Sequence, residues 1–449
     1  MISGHAERDC SPDAAPGGRP LLLVIWLALT SFVLVALGLW QGLSYWEYSD
    51  GVYSLSARYV LDGRELYSEF AAAQPPSLFY VAAAVLAIDD SATAIRIAMA
   101  GCRAAASLLV LVAVRRLTGR RDAALLAALA SLLTPWAVRE HAQLLPETFA
   151  APLIMGAALT AGRRSTALLA GALGAIAATF KVALALPALA IVLLSRHVRQ
   201  CLTGFAATGA ACVVVFLAAF GEPLWTNVVR AQTQAGYASL QYIGGLWAQA
   251  GWNLLPLLVL AALAWPGRAR LRDPDLARSL AVAALGSLLL LATLLKNGSY
   301  LTVLVVVEPP LVCLAACGVV TALQERGRPA ASRLRVLVAA ACVLAAAQVL
   351  SLVLSPDDPA LFTRPLAASG PARTFSDAEV TAAARTIAAC AAGSTYAGPP
   401  YLAFVARRDI AGLQPDQFII RAAPVLRAFR ARADTDPQVC REPGLPVLP

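Results

Sequence analysis

The sequence predicts an all-α polytopic membrane protein of about eleven transmembrane helices, with a long first extracytoplasmic loop and a small C-terminal extracytoplasmic α/β domain. Three observations carry this reading. The chain is 59% hydrophobic and only 14% charged over 449 residues, with a mean hydropathy of +0.67, whereas soluble domains are nearer half apolar and a quarter charged. Apolar runs of bilayer-crossing length recur from Leu21 to Leu354. Short arginine clusters separate these runs at alternate gaps, as cytoplasmic loops do. The net charge of +9 is therefore scattered among loops and forms no single nucleic-acid-binding face. Its Arg and Ala bias is that of a GC-rich bacterial genome.

Taken in order, residues 1–19 are polar and contain Pro and Gly, which predicts a disordered cytoplasmic N-terminus. Leu21–Trp40 is apolar throughout. No small-x-small cleavage pattern follows it, since Leu39-Trp40-Gln41 is too bulky, so it reads as an uncleaved first helix. Residues 41–94 then form the first outer loop. Within it, Pro76–Ile88 is short and bounded by Pro75-Pro76 and Asp89-Asp90. If it crossed, Ile95–Val114 would deliver Arg115, Arg116, Arg120 and Arg121 to the outside, against the positive-inside bias. It is therefore expected to lie along or dip into the outer face.

With that parity, Ala123–Ala137 goes out, Arg139–Glu147 forms a second outer loop, and Thr148–Ala161 returns to Arg163-Arg164. Ser165–Ser195 is too long for one crossing and splits at Lys181, which places Lys181 at the outer surface. Leu202–Phe220 leads to a third outer loop, Gly221–Gly251, and Trp252–Trp265 returns. Leu280–Leu295 ends outside at Lys296, Tyr300–Leu323 returns, and Val336–Leu354 goes out. The transmembrane domain thus spans residues 20–354. Residues 355–449 are richer in Pro, Asp, Thr and Gly and form the outer domain, with a helix around Asp377–Ala392 and strands around Ser394–Tyr396 and Tyr401–Val405. Cys390 and Cys440 lie in this region, where an oxidising compartment permits a disulfide. Cys313 and Cys317 read as small helix-packing residues.

The stretch Ser44–Tyr80 holds five acidic residues and six of the eleven tyrosines, unlike a bland connector. Several polar groups converge on the outer side with it, and charges near membrane helices are costly unless solvated or used. Asp50, in Ser49-Asp50-Gly51, is either a general base for an attacking hydroxyl or an Asx-turn residue. Glu147 either complements the helix dipole after Pro146 or supplies a second carboxylate that binds an acceptor or a divalent cation. Lys181 and Lys296 are the chain's only lysines; they either snorkel or grip a lipid phosphate, with Arg139 beside them. Glu47, Tyr53, Tyr67, Gln74 and His141 are candidates for contacting a substrate, although a loop histidine is commonly just solvated. Gln74-Pro75-Pro76 either stiffens the backbone beside a site or simply starts a helix. No metal-ligand spacing is present, so the metal question stays open.

These residues carry a resemblance. Asp50-Gly51-Val52-Tyr53, the Ala57…Leu61-Asp62-Gly63…Leu66-Tyr67 pattern, Gln74-Pro75-Pro76…Tyr80, the helix from Arg96, Leu145-Pro146-Glu147 and the Lys181 helix start together resemble the GT-C membrane glycosyltransferases. The likeness is to the family 39 and ArnT-like branch, which includes protein O-mannosyltransferases. It covers roughly the first 200 residues well and the remainder by layout. It implies a GT-C-like fold and transfer of a sugar from a polyprenyl-phosphate donor to a glycan, lipid or protein acceptor outside the cytoplasm. It places the protein in the inner (plasma) membrane, with its N-terminus cytoplasmic and its C-terminus outside. It matches Asp50 to the first-loop catalytic acid and Glu147 to the second-loop acid. The family's adjacent Asp-Glu pair is missing here, since Glu47 stands three residues before Asp50. Inverting transfer with Asp50 as base is the expectation; a multi-pass transporter or lipid flippase is the alternative. A transporter would place charges near the bilayer midplane and show internal repeats.

Overall fold

Backbone N–H and C=O groups in lipid are satisfied inside a helix, and the long apolar runs are helical. A computed structural model describes residues 18–44, 48–264, 271–324, 329–354, 375–391, 393–436 and 439–440. Most of the predicted N-terminal tail, and Glu47, lie outside the described residues. The membrane part comprises α1 (Gly18–Gln41), α2 (Tyr48–Leu61), α3 (Pro76–Leu86), α4 (Ala92–Thr118), α5 (Arg121–Ala130), α6 (Pro135–Arg139), α7 (Pro146–Ala161), α8 (Ala167–Ala178), α9 (Ala185–Leu194), α10 (Val198–Trp225), α11 (Ala231–Gln234), α12 (Leu240–Ala264), α13 (Pro274–Leu288), α14 (Leu304–Gln324) and α15 (Pro329–Leu354). Among the described residues, six stretches are long and apolar enough to cross a bilayer, namely Leu21–Gln41, Ala92–Thr118, Val198–Gln234, Leu240–Leu263, Pro274–Leu295 and Leu301–Gln324. Among the described residues, other expected crossings are shorter apolar helices; the protein is a multi-pass membrane protein.

Local chemistry sets the helix ends. Ser91 caps α4 by accepting from the Ala94 N–H, and Gly119 ends it at φ 74°. Asp273 caps α13 through Leu276, with Pro274 at its first position. The arginine-bearing turns meet at one end of the bundle. Arg116 pairs with Asp273 and Arg196 with Asp275, both at 2.7 Å, and Arg116 also donates to the Leu159 carbonyl. The opposite end gathers α2, the start of α3, residues 140–147, the break between α8 and α9, residues 289–303 and the C-terminal region.

The third outer loop differs from expectation. α10 bends at Gly221 (φ 54°, ψ −138°), and a π-helical turn and α11 carry the helix on to Gln234. Because α12 begins at Leu240, only residues 235–239 connect them. Polar residues that suggested a loop line inward helix faces instead: Asn227 and Gln249 are buried, as is Asn253 in the crossing that follows, and the Asn253 amide donates to the Gln249 carbonyl.

The C-terminal region forms α16 (Asp377–Ala388), β1 (Thr395–Tyr396), α17 (Pro400–Val405), α18 (Gln417–Ala422), α19 (Arg427–Asp434) and β2 (Val439–Cys440). Ser376 and Glu379 close a capping box on α16. The strand expected at Tyr401–Val405 is a helix. Pro400 occupies its first position, and its aromatic residues pack against α2 rather than in a pleat. The one sheet among the described residues is the parallel pair β1–β2, beside which Cys390 and Cys440 are disulfide-bonded. This region shares a continuous apolar core with the helical bundle. Gly51 permits the contact, because a Cβ there would lie 2.4 Å from the Tyr401 nitrogen. Arg58 lies 4.1 Å over the Phe404 ring and donates to the Phe404 carbonyl.

Candidate active site

A cavity of about 1280 Å³ opens where the bundle meets the C-terminal region, and it is lined by residues from α2, the 73–74 loop, α7, the α8–α9 break, residues 293–302 and residues 396–436. Glu147, Lys181 and Lys296 all reach it. Pro146 starts α7 and leaves Glu147 in its first turn, where its carboxylate is 1% exposed. Its Oε1 accepts from Lys181 Nζ at 2.6 Å and from the Thr302 hydroxyl at 3.1 Å. Lys181 sits where α8 ends and a short 3₁₀ turn begins. Lys296 makes no ion pair among the described residues. Burial and the neighbouring Lys181 push its ammonium down to about 8, against the pull of Asp416.

Tyr53 and Gln74 also line the cavity, and the Gln74 amide donates to the Tyr53 hydroxyl at 3.2 Å. The backbone of the 71–74 loop is pinned at every step. Ala71 N–H donates to Gln414 Oε1, Ala72 N–H to Asn227 Oδ1, and the Ala73 carbonyl accepts from the Gln232 amide. The Tyr67 hydroxyl donates to the Gln74 carbonyl at 2.7 Å. The loop is thus stiffened by side chains on two distant segments and by the nearby Tyr67, and Pro76 starts α3 as well.

Four expected site residues stand elsewhere. Asp50 lies in the first turn of α2, 1% exposed, so it is not in an Asx-turn. Its Oδ1 accepts from the Leu144 N–H at 2.7 Å and its Oδ2 lies 3.7 Å from Arg96 Nη2. Burial raises its pKa and Arg96 opposes this. Ser49, not Asp50, lines the cavity. Arg139 lies against both Trp136 and Tyr300, 4.8 Å and 5.0 Å from their ring centroids, and donates to the Tyr300 hydroxyl; it supports the wall without lining the cavity. His141 is 2% exposed rather than solvated, and burial together with Arg103 pushes its imidazole down to about 3, leaving it neutral. Tyr67 is 1% exposed with φ 72° and touches the cavity through Gln74 alone.

Asp416 was not legible as a site residue. It lines the cavity and caps α18 by accepting from the Ile419 N–H at 3.0 Å. Burial pushes its carboxyl up to about 6, opposed by that N–H and by Lys296. Pro415-Asp416 before Phe418-Ile419-Ile420 signals a helix cap; nothing in it signals a cavity some 270 residues from Glu147 in sequence. Among the described residues no three His, Cys, Asp or Glu side chains gather to hold a metal, and Lys181 already occupies Glu147 Oε1. Among the described residues, this donor set does not fit a divalent cation.

Residues 73–225 match the family described as "Dolichyl-phosphate-mannose-protein mannosyltransferase". Among curated proteins none matches. The fold is similar to that of ArnT from Cupriavidus metallidurans, crystallised bound to undecaprenyl phosphate, with a TM-score of 0.62, 13% identity, and coverage of 92% of this chain and 89% of that one. Against the same protein in the apo state the TM-score is 0.60, at 14% identity and the same coverage. The chain is therefore a multi-pass membrane protein whose fold is similar to that of ArnT along most of its length, and whose residues 73–225 match the mannosyltransferase family.

Proposed function

We propose that the chain is a membrane glycosyltransferase that moves a sugar from a polyprenyl-phosphate donor to an extracytoplasmic acceptor, with inversion at the anomeric carbon. The observation that carries this is the cavity itself, which joins two lysines to carboxylates at the ends of membrane helices. A lipid phosphate entering from the bilayer meets Lys296 and Lys181, which stabilise charge on the leaving phosphate as the bond to the sugar breaks. Glu147 holds Lys181 in place and faces the acceptor. Gln74 and Tyr53 present an amide and a hydroxyl on a pinned loop, suited to sugar hydroxyls. The family match and the undecaprenyl phosphate in the ArnT crystal support a donor of this chemistry. The arginine end faces the cytoplasm by the positive-inside rule, which puts the cavity and the C-terminus outside an inner (plasma) membrane.

Asp50 takes a positioning role in this reading. Its carboxylate ties α2 to residue 144 and to Arg96, next to the segment that carries Glu147. The test is transfer of labelled sugar from a panel of polyprenyl-phosphate hexoses and pentoses by membranes containing the protein. Transfer inhibited competitively by undecaprenyl phosphate is the expected result. No transfer, with solute or lipid movement in proteoliposomes instead, would establish the transporter reading.

A further inference from the structure

We infer that Asp416, supplied by the C-terminal region, is the general base that deprotonates the acceptor hydroxyl. The inference rests on the glycosyltransferase reading and adds the group that reading lacks. Inverting transfer needs a proton acceptor opposite the leaving phosphate. Of the cavity's carboxylates, Glu147 has Oε1 committed to Lys181 and Thr302 and Oε2 buried, with no hydrogen-bond partner among the described residues. Asp434 pairs with Arg430 and Arg421, and Asp436 accepts from Thr395 and Gly412. Among the described residues Asp416 spends only Oδ1, on the Ile419 N–H.

Its placement is built. The Tyr48 hydroxyl donates to the Pro415 carbonyl at 3.3 Å and accepts from the Gln417 N–H at 3.0 Å. It thereby grips the chain on both sides of Asp416. Tyr48 begins α2, one residue before the cavity-lining Ser49. The first loop and the C-terminal region thus fix this carboxylate jointly. The charged and titratable groups that act on Asp416 or share its field are Lys296, Tyr48, Tyr53 and Arg421, with Lys181 and Glu147 beyond them. Burial holds its carboxyl near 6, where a base is both ionised at neutral pH and strong enough to take a proton.

In the step, the acceptor oxygen forms its bond to the anomeric carbon as its proton passes to Asp416 Oδ2. The bond from that carbon to the phosphate oxygen breaks, and polyprenyl phosphate leaves with the electron pair toward Lys181, which Glu147 holds in place. No other reactant is needed.

The test compares wild type, Asp416→Asn and Asp416→Glu in the transfer assay from pH 5 to 8, alongside undecaprenyl phosphate binding. Asn retains the cap, being as good an N-cap as Asp, so Asp416→Asn should fold. The expected result is a loss of at least about 100-fold in kcat for Asp416→Asn, with donor KM little changed, and no acid limb near pH 6. Asp416→Glu recovers part of the rate. At pH 7 Asp416→Asn binds undecaprenyl phosphate more tightly than wild type, because the carboxylate charge near Lys296 is gone, and the difference closes below pH 6 as Asp416 of the wild type is protonated. If Asp416→Asn transfers within about threefold of wild type and keeps the acid limb, Asp416 is not the base and the glycosyltransferase reading stands. If wild type neither transfers from any donor nor binds undecaprenyl phosphate, that reading fails and Asp416 falls with it.

Discussion

Asp50 and Asp416 are two carboxylates at the same end of one bundle, and they have opposite surroundings. Asp50 is enclosed, with one oxygen on a backbone N–H and the other beside Arg96. Arg96 in turn donates to the Tyr401 hydroxyl and the Ser44 carbonyl, so the hub ties α2, α4 and α17 together. Asp416 borders open space and shares it with Lys296, which makes no ion pair among the described residues. The difference teaches that a charged residue among membrane helices is not by itself a reactive one. A carboxylate whose partners are all internal specifies packing, and chemistry belongs to the one with an oxygen still facing the cavity.

The pH dependence breaks the comparison most sharply. Asp416 must be ionised and Lys296 protonated, so activity should fall about tenfold per unit below pH 6 and decline again above pH 8. Stability moves the other way on the acid side. A carboxylate whose pKa is raised from 3.8 to about 6 by folding costs stability when ionised, so stability rises as pH falls through that window. Asp416→Asn should therefore melt higher than wild type at pH 7.5 in a thermal scan.

Asp50→Asn should do the reverse. It keeps an oxygen for the Leu144 N–H but removes the charge facing Arg96, costing about 1–3 kcal/mol of stability. Activity per folded molecule should stay within about tenfold of wild type. Equal melting temperatures with abolished transfer would return the base to Asp50. Gly51→Ala tests the same hub through packing. Its Cβ would lie 2.4 Å and 2.8 Å from Tyr401 backbone atoms, so a loss of about 1–3 kcal/mol is expected, read as a lower melting temperature. The smallest effect belongs to Tyr67→Phe. Losing its hydrogen bond to the Gln74 carbonyl should raise donor KM by about two- to fivefold with kcat nearly unchanged.

Much of the frame was legible in the sequence. Alternating arginine clusters predicted loops such as 115–121 and 160–164 on one side, and Arg116, Asp273 and Asp275 do meet at one end. Overlength alone located the helix break at Lys181. What escaped has a physical cause. Gln249 read as loop because polarity in sequence does not reveal whether a helix face turns inward. Tyr401–Val405 read as strand because its aromatic residues outweighed the Pro at the first helical position. At the site, Glu147 and Lys181 carried local signals in the Pro146 start and the rarity of lysine. Asp50 carried an equally strong one, yet its role depends on Leu144 and Arg96, which only folding brings to it. Asp416 carried the signal of a helix cap alone, and its place beside Lys296 is a tertiary fact.

Binding of undecaprenyl phosphate to the purified full-length protein, with Lys296→Ala and Asp50→Asn beside wild type, tests the location of the chemistry most directly. A loss of affinity of at least about tenfold in Lys296→Ala, with Asp50→Asn binding as wild type, is the result the cavity predicts. Unchanged binding in Lys296→Ala together with lost binding in Asp50→Asn would put the phosphate at the Asp50–Arg96 hub and contradict it.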